Sequence, residues 1–354
     1  MLKAALIGIG AMGSGHLDNY LRMKKENNPN INLVAVCDID ESKFKNNQKI
    51  QGNLDGVGGG GNVDFSSIHC YTDVDDMLAK EQLDLVSIAL PTYLHCEYTV
   101  KCLDKGINTF CEKPMAVNPE QCQQMIDASK RNNKKLMIGH CLRFWGQYEV
   151  TKEIITSGKF GKPIAGYFFR GGDTPVWSYN NWLLKRECGG GALLDQHVHD
   201  VDTVNYFFGM PKAVSALGSI LYKGSGYDAV TAQYIYDDPI TVNAQDDWAL
   251  AYGGFTMTFR VNFENGSVIM PESGGFICAE RGDKNNPKTP NGKPYTPEYD
   301  KENAYYKEIL YFADCIINNK PVLINPPEDS MNTIKIVRAE IESADKNGAI
   351  VEVR

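Results

Sequence analysis

Short, largely apolar runs punctuate the first part of the chain at positions 4–9, 33–38, 85–90, 108–111 and 136–139, and longer stretches of mixed polarity separate them. A strand buried on both faces is apolar at successive positions rather than alternate ones, and helices must cover the two faces of a sheet built from such strands. The alternation therefore predicts an α/β unit with a parallel, doubly wound sheet. One helix start is explicit. Asn118-Pro119-Glu120 offers a capping side chain, a proline at the first helical position and an acid at the positive end of the helix dipole, so a helix runs from there to about Arg131.

Beyond Arg143 the pattern changes. Segments 164–170, 213–221, 248–252 and 255–263 are rich in Tyr, Phe, Val and Thr and predict strands of a large open, mainly antiparallel sheet in an α+β domain. One continuous helix, 192–208, interrupts them and is stopped by Gly209-Met210-Pro211; a last helix covers 327–346. Two stretches read as loops. The first, 52–62, holds four consecutive glycines and reads as a surface insertion; the second, 282–299, is rich in Pro, Asn and Lys. The predicted division is 1–122 for the first domain and 123–354 for the second.

Composition narrows the class. A chain of 354 residues exceeds one ordinary core, so two domains are expected. The formal charge of −8 and the lack of a long Lys/Arg run weigh against nucleic acid as a partner. No apolar run approaches the roughly 20 residues that cross a bilayer. The apolar start also lacks the basic leader and small-residue cleavage pattern of a signal peptide, which places the protein in the cytoplasm. Ten cysteines are scattered without a C-x-x-C pair and read as reduced, buried, apolar residues.

Gly8-Ile9-Gly10-Ala11-Met12-Gly13 has the G-x-G-x-x-G spacing, directly after an apolar run and at the opening of a helix. Gly8 permits the tight turn, Gly10 lets the backbone approach a pyrophosphate, and Gly13 lets helix and strand pack closely. The helix N-terminus adds N–H donors and positive potential for the phosphates. The next run ends at Asp38, where an acid accepts hydrogen bonds from the 2′-hydroxyl of an adenosine ribose and repels a 2′-phosphate. No arginine follows closely, although Lys43 and Lys45 lie a few residues on. These features read as an N-terminal Rossmann domain that binds NAD in preference to NADP. Ligands of such folds bind beyond the carboxyl ends of strands, so Leu90, Pro91 and Thr92 are candidates to line the nicotinamide side. Ile39, His95, Glu112 and Lys113 complete the candidate cofactor contacts read at these strand ends.

Two further motifs offer chemistry. Pro114 forces Lys113 out of helical geometry at another strand end, and a desolvated lysine there can exchange a proton with a substrate hydroxyl. After the triplet Gly189-Gly190-Gly191, residues Asp195, His199 and Asp202 fall at i, i+4 and i+7 and form a polar line, beside an apolar line of Leu194, Val198 and Val201. A carboxylate one turn from a histidine is a common way to orient an imidazole as a base.

The glycine hexad, Glu112-Lys113-Pro114, Gly139-x-x-x-Arg143-Phe144 and the G-G-G-x-L-x-D-x-x-x-H stretch ending at His199 together resemble the glucose-fructose oxidoreductase/inositol dehydrogenase/MocA family, over essentially the whole chain. The segment from Tyr306 to Lys346 has the family's look as well. The resemblance implies a Rossmann domain followed by an open-faced sheet domain used for homodimer or homotetramer contacts. It also implies reversible oxidation of a secondary alcohol on a sugar, inositol or related polyol. Lys113, Asp195 and His199 match the family's catalytic residues: His199 takes the hydroxyl proton, Lys113 hydrogen-bonds the same oxygen, and Asp195 orients the site. Arg143 would lie near cofactor and substrate, and the Lys113–Pro114 bond can be cis. His197 departs from the glycine many members carry, and its side chain could contact substrate or pack near the active histidine; Trp177 and Trp182 are further candidate substrate contacts, which with Tyr179 offer an apolar wall for a sugar ring.

Three other readings stand beside this one. A metal hydrolase would use His197 and His199 with Asp195, Asp200 and Asp202, but histidines at i and i+2 diverge on a helix. No metal site is expected. A non-catalytic NAD(H) sensor would keep the fold without turnover. A glycoside-cleaving enzyme would use the cofactor transiently, with no net reduction.

Overall fold

A computed structural model of the chain describes residues 1–44, 63–251 and 254–354. The glycine-rich insertion at 52–62, Lys45 and Tyr252 lie outside the described residues. The chain divides into two compact units. One comprises Met1–Cys141, Trp177–Trp182 and Asn303–Met331, the other Leu142–Val176, Leu183–Glu302 and Asn332–Arg354.

The first unit runs β1 (Leu2–Ile7), α1 (Ala11–Lys25), β2 (Ile31–Cys37), β3 (His69–Tyr71), α2 (Val74–Lys80), β4 (Leu85–Ile88), α3 (Thr92–Asp104), β5 (Asn108–Glu112), α4 (Pro119–Asn132) and β6 (Leu136–Gly139). Its six-stranded sheet has the order β3-β2-β1-β4-β5-β6, every neighbouring pair parallel. The order reverses between β1 and β4, and ligands of doubly wound sheets bind outside the strand ends at such a switch point. The apolar runs are strands for the reason expected: β4 is buried along its whole length and β1 from Ala4 to Ile7. The Asn118 side chain caps α4 by accepting from the Gln121 N–H. Strand β3 escaped the pattern because its three residues, His69, Cys70 and Tyr71, form a partly exposed sheet edge.

The second unit begins with α5 (Gly146–Ser157) and β7 (Pro163–Gly171), then α6 (Ala192–Asp195), α7 (Val198–Phe208), β8 (Ala213–Ser219), β9 (Ala229–Ile235), β10 (Thr241–Asp247), β11 (Thr256–Phe263), β12 (Gly266–Met270) and β13 (Ile277–Glu280). After these come α8 (Ala304–Ile317), α9 (Pro327–Asp345) and β14 (Val351–Glu352). The eight-stranded sheet has the order β13-β12-β11-β7-β10-β9-β8-β14, antiparallel except for the β7–β10 pair. Burial alternates along β9 and β10, so one face is packed and the other is open. Tyr148, Phe168, Phe207 and Phe259 interlock in the packed layer.

Several expectations are corrected. The first unit does not stop at residue 122: β6 pairs with β5, carrying it through Cys141. α8 also belongs to it, packed against α1 and β6, with the Tyr306 hydroxyl donating to Glu26 at 2.6 Å. No strand covers 248–251. Trp248 is wholly buried there, its indole N–H bound to the Asp228 carboxylate at 2.8 Å. The strand lies just before it, as β10. The helix predicted over 192–208 is two helices, because the Ala192 carbonyl accepts from both Gln196 and His197 and the next bonds tighten to i→i−3. Among the described residues, no helix is long and apolar enough to cross a membrane. All ten cysteines are free, and eight are buried.

Candidate active site

In the first unit the glycine hexad joins β1 to α1. Gly8 has φ +90°, and a Cβ there would lie 2.5 Å from the Ala89 carbonyl oxygen; a Cβ on Gly13 would lie 1.9 Å from the Gly8 carbonyl oxygen. Both glycines are required by the protein itself. Gly10 is different: its φ is −84° and a Cβ would meet nothing within 4 Å. The missing side chain at Gly10 leaves open space beside an N-terminus with no side-chain cap and no acid in its first turn. Such a cradle fits an anion. Gly10, Ala11 and Met12 are partly accessible, whereas Ile9 is buried.

Asp38 lies just past the end of β2, with one carboxylate oxygen accepting from the Ile9 N–H at 2.7 Å and the other from the Asp40 N–H at 2.9 Å. Lys43 pairs with it at 2.7 Å. The acid is thereby fixed against the glycine turn, at the end of the second strand where an adenosine ribose is read. Ile39, beside it, is 75% exposed. Past β4, Leu90 and Pro91 are partly accessible and Thr92 is buried.

The Lys113–Pro114 bond is cis and Lys113 is half-buried. Two braces hold this turn, and both correct an expectation. His95 is 1% exposed, with Nδ1 2.7 Å from the Pro114 carbonyl and Nε2 2.8 Å from the Leu90 carbonyl. Burial lowers its pKa against the pull of those carbonyls. It ties one strand end to the next and has no free nitrogen to offer a cofactor. Glu112 is 3% exposed; one oxygen meets His16 Nε2 at 2.5 Å and the other accepts from the Lys113 N–H at 3.1 Å. It too is an anchor rather than an open cofactor contact. Burial alone would raise the Glu112 carboxyl, but His16, with Lys113, holds it below the usual range. Burial, followed by the charge of Glu112, pushes neighbouring Glu308 well above that range. Sequence reading missed this His16–Glu112–Glu308 cluster, since its members come from α1, β5 and α8 and no spacing joins them.

Trp177, Tyr179 and Trp182 group with the first unit. Trp182 meets Tyr93 edge-on, with centroids 6.4 Å apart, and Tyr93 follows Thr92 at the start of α3. Trp177 and Trp182 are partly accessible. Such rings present apolar surface to a ligand while keeping a polar handle.

In the second unit, Gly191 has φ +78° and packs against Tyr227, opening α6. Across 191–205 every residue is buried except Asp195 and His199, which are partly accessible. The polar neighbours are committed elsewhere. Asp200 takes both nitrogens of one edge of Arg170, at 2.9 and 3.2 Å. Asp202 is bound by Arg143 at 2.8 and 2.9 Å and accepts from the Thr333 hydroxyl at 3.0 Å. These pairs draw Asp200 and Asp202 away from the metal-hydrolase set. Arg143 itself is 2% exposed and also lies over the Tyr206 ring. Arg143, expected near cofactor and substrate, is held in a buried ion pair with Asp202. His197 is 0% exposed, with Nε2 3.5 Å from both Glu340 and the Tyr234 hydroxyl. The widened turn after Asp195 swings it into the core, which removes it from the candidate substrate contacts.

Residues 2–140 match the model of an oxidoreductase family with an NAD-binding Rossmann fold, and residues 148–269 match the GFO/IDH/MocA C-terminal domain. The chain is 28% identical to a 2,7-anhydro-N-acetylneuraminate hydratase of Mediterraneibacter gnavus, over 68% of this chain and 58% of that protein. It is 26% identical to a D-glucoside 3-dehydrogenase of Escherichia coli, over 77% and 70%. The first of these alignments thus spans little more than half of the relative's own length. A solved NAD binding oxidoreductase from Klebsiella pneumoniae superposes with a TM-score of 0.81 at 19% identity, over 100% of this chain and 99% of that one.

Proposed function

The chain belongs to the GFO/IDH/MocA oxidoreductase family, and from that membership we propose that it is an NAD-dependent dehydrogenase moving hydride between nicotinamide and a secondary alcohol of a sugar, inositol or related polyol. The observation that carries the reading is the selective accessibility of Asp195 and His199 in a segment whose other residues are all buried. An interior that hides thirteen neighbours yet leaves one acid and one imidazole reachable is arranged for proton transfer.

The residues that would hold the dinucleotide are the 8–13 turn and first turn of α1 for the pyrophosphate, Asp38 for the adenosine ribose, and Leu90, Pro91 and Thr92 for the nicotinamide side. When bound, it supplies the hydride acceptor. His199 takes the hydroxyl proton from the carbinol, and Asp195 orients the imidazole. Lys113 donates a hydrogen bond to the same oxygen, its backbone held by Glu112 and by the cis turn. Trp177 and Trp182 offer a sugar ring an apolar face. A cytoplasmic location and a homodimer or homotetramer are part of this proposal; light scattering showing only monomer at micromolar concentration would count against the assembly.

The test is NADH absorbance with NAD and a panel of inositols, sugars and sugar acids, run on the wild type and on His199→Ala. Histidine-dependent NADH formation supports the reading. A second reading is favoured by the hydratase among the relatives: a reaction with transient redox and no net reduction of cofactor. Substrate consumed without NADH accumulating, on protein that retains NAD through purification, would select it.

Cofactor preference gives a separate prediction. Asp38→Ala should shrink the NAD-over-NADP preference in kcat/KM about tenfold, because it removes an acceptor for the ribose hydroxyl and a charge that repels the 2′-phosphate. Lys43, freed of its partner, then favours the phosphate. An unchanged preference would move the adenosine contact away from Asp38.

A further inference from the structure

Gln196, in the break between α6 and α7, faces Asp246 of β10 in the interior of the second unit. The amide nitrogen of Gln196 donates to Asp246 Oδ1 at 3.2 Å, and the two residues are 4% and 2% exposed. On the same two groups, Gln196 Oε1 and Asp246 Oδ2 are buried without a hydrogen-bond partner. An ionised carboxylate can only accept, so it would leave both oxygens unsatisfied. A carboxylic acid opposite an amide closes a second bond, O–H to C=O, antiparallel to the first. One proton on Oδ2 would satisfy both orphans at once.

The surrounding charges agree. Arg170 is already balanced by Asp200, which engages it through both oxygens. His197 lies close to Asp200 and Asp246, but its Nε2 faces Glu340 and Tyr234. Asp247 adds a further acid. Among the described residues no cation forms an ion pair with Asp246, and burial, followed by the charge of Asp200, pushes its carboxyl well above the usual range against the opposing pull of Arg170 and Gln196. A metal ion on His197, Asp200 and Asp246 fits less well, because the guanidinium of Arg170 holds the carboxylate it would need.

We propose that Asp246 is a neutral carboxylic acid closed in a two-hydrogen-bond pair with Gln196, and that the pair is a positioning device fixing the helix break between Asp195 and His199. Only the positioning half rests on the function proposed above. Gln196 sits directly after Asp195 and three residues before His199, and its backbone N–H shares the Ala192 carbonyl with His197. Pinning its side chain to a sheet strand fixes where α6 ends and α7 begins.

The first test needs no substrate. The folded protein keeps a proton that the unfolded chain releases above a pKa of about 3.9, so this contribution is fully present below that pH and is lost as pH rises toward the folded value. Asp246→Asn can make the same two hydrogen bonds with no proton to lose. Its Tm advantage over the wild type should therefore grow from near pH 4 to about pH 8, reaching on the order of a few degrees. A pH-independent difference, or an advantage that shrinks with rising pH, would overturn the neutral acid. Infrared spectra should show a protonated-carboxyl C=O band in the wild type that Asp246→Asn lacks; absence of that difference overturns it equally.

Positioning is read from turnover once a substrate is found. Asp246→Ala should lower kcat on the order of 10-fold with NAD affinity kept, and Asp246→Asn should restore most of it. Equal losses in the two variants would overturn positioning. Full turnover in His199→Ala would also overturn positioning, through the proposed function, while the infrared and Tm results still decide the acid–amide pair.

Discussion

His199→Ala is expected to lower kcat by roughly 10²-fold or more while NAD binds as in the wild type. The expectation comes from what the neighbours of His199 are doing. Asp200 and Asp202 are held by Arg170 and Arg143, and His197 is turned to Glu340, so none can take over the proton. Asp195, the other accessible group, is assigned to orienting the imidazole rather than to taking the proton. Lys113→Ala should give a comparable loss of turnover, since it removes the donor to the hydroxyl oxygen. Stopped-flow and steady-state rates with a reactive polyol, together with calorimetric NAD titration, separate chemistry from binding. Near-normal turnover in both variants would end the assignment.

Much of this was legible in the chain, and the reasons can be traced to residues. The parallel sheet declared itself because doubly buried strands are largely apolar at successive positions, as in β1 and β4. The glycine turn declared itself because backbone collisions with Ala89 and Gly8 leave Gly8 and Gly13 no substitute. Strands β9 and β10 were obscured because their open face carries Thr, Gln and Asn, which reads like a loop when viewed residue by residue.

The site was legible only where its parts are close in sequence. Asp195 and His199 could be paired by spacing, and they are the accessible pair, although a helix break intervenes. Glu112 and His197 share motifs with candidate catalytic residues, Arg143 lies in another of the family's motifs and His95 just past Pro91-Thr92, and so all four resembled ligands themselves. Their partners, Asp202, His16, the Leu90 and Pro114 carbonyls and Glu340, lie from 5 to 143 positions away, mostly beyond the reach of local spacing. A polar residue in a conspicuous motif can be there to hold the motif in place, and only the fold distinguishes that from contact with a ligand.

The second large effect is expected from a contrast within the glycine hexad. Gly13→Ala puts a Cβ 1.9 Å from the Gly8 carbonyl oxygen, a backbone atom that cannot swing aside, so helix and turn must separate and the protein should lose both stability and NAD binding. Gly10→Ala meets no protein atom within 4 Å and keeps an ordinary φ, so the protein free of cofactor should melt within about 1 °C of the wild type. Its NAD dissociation constant should nevertheless rise on the order of 10- to 100-fold, because the methyl occupies the space through which a pyrophosphate approaches the α1 N–H groups. Calorimetric unfolding paired with NAD titration reads both quantities on each variant. If Gly10→Ala binds NAD as tightly as the wild type, the pyrophosphate does not sit against this turn. If Gly13→Ala is as stable as the wild type, the close approach of helix to strand is not what requires glycine there. Loss of binding without loss of stability at Gly10 alone is the signature of a residue whose missing side chain serves the ligand rather than the fold.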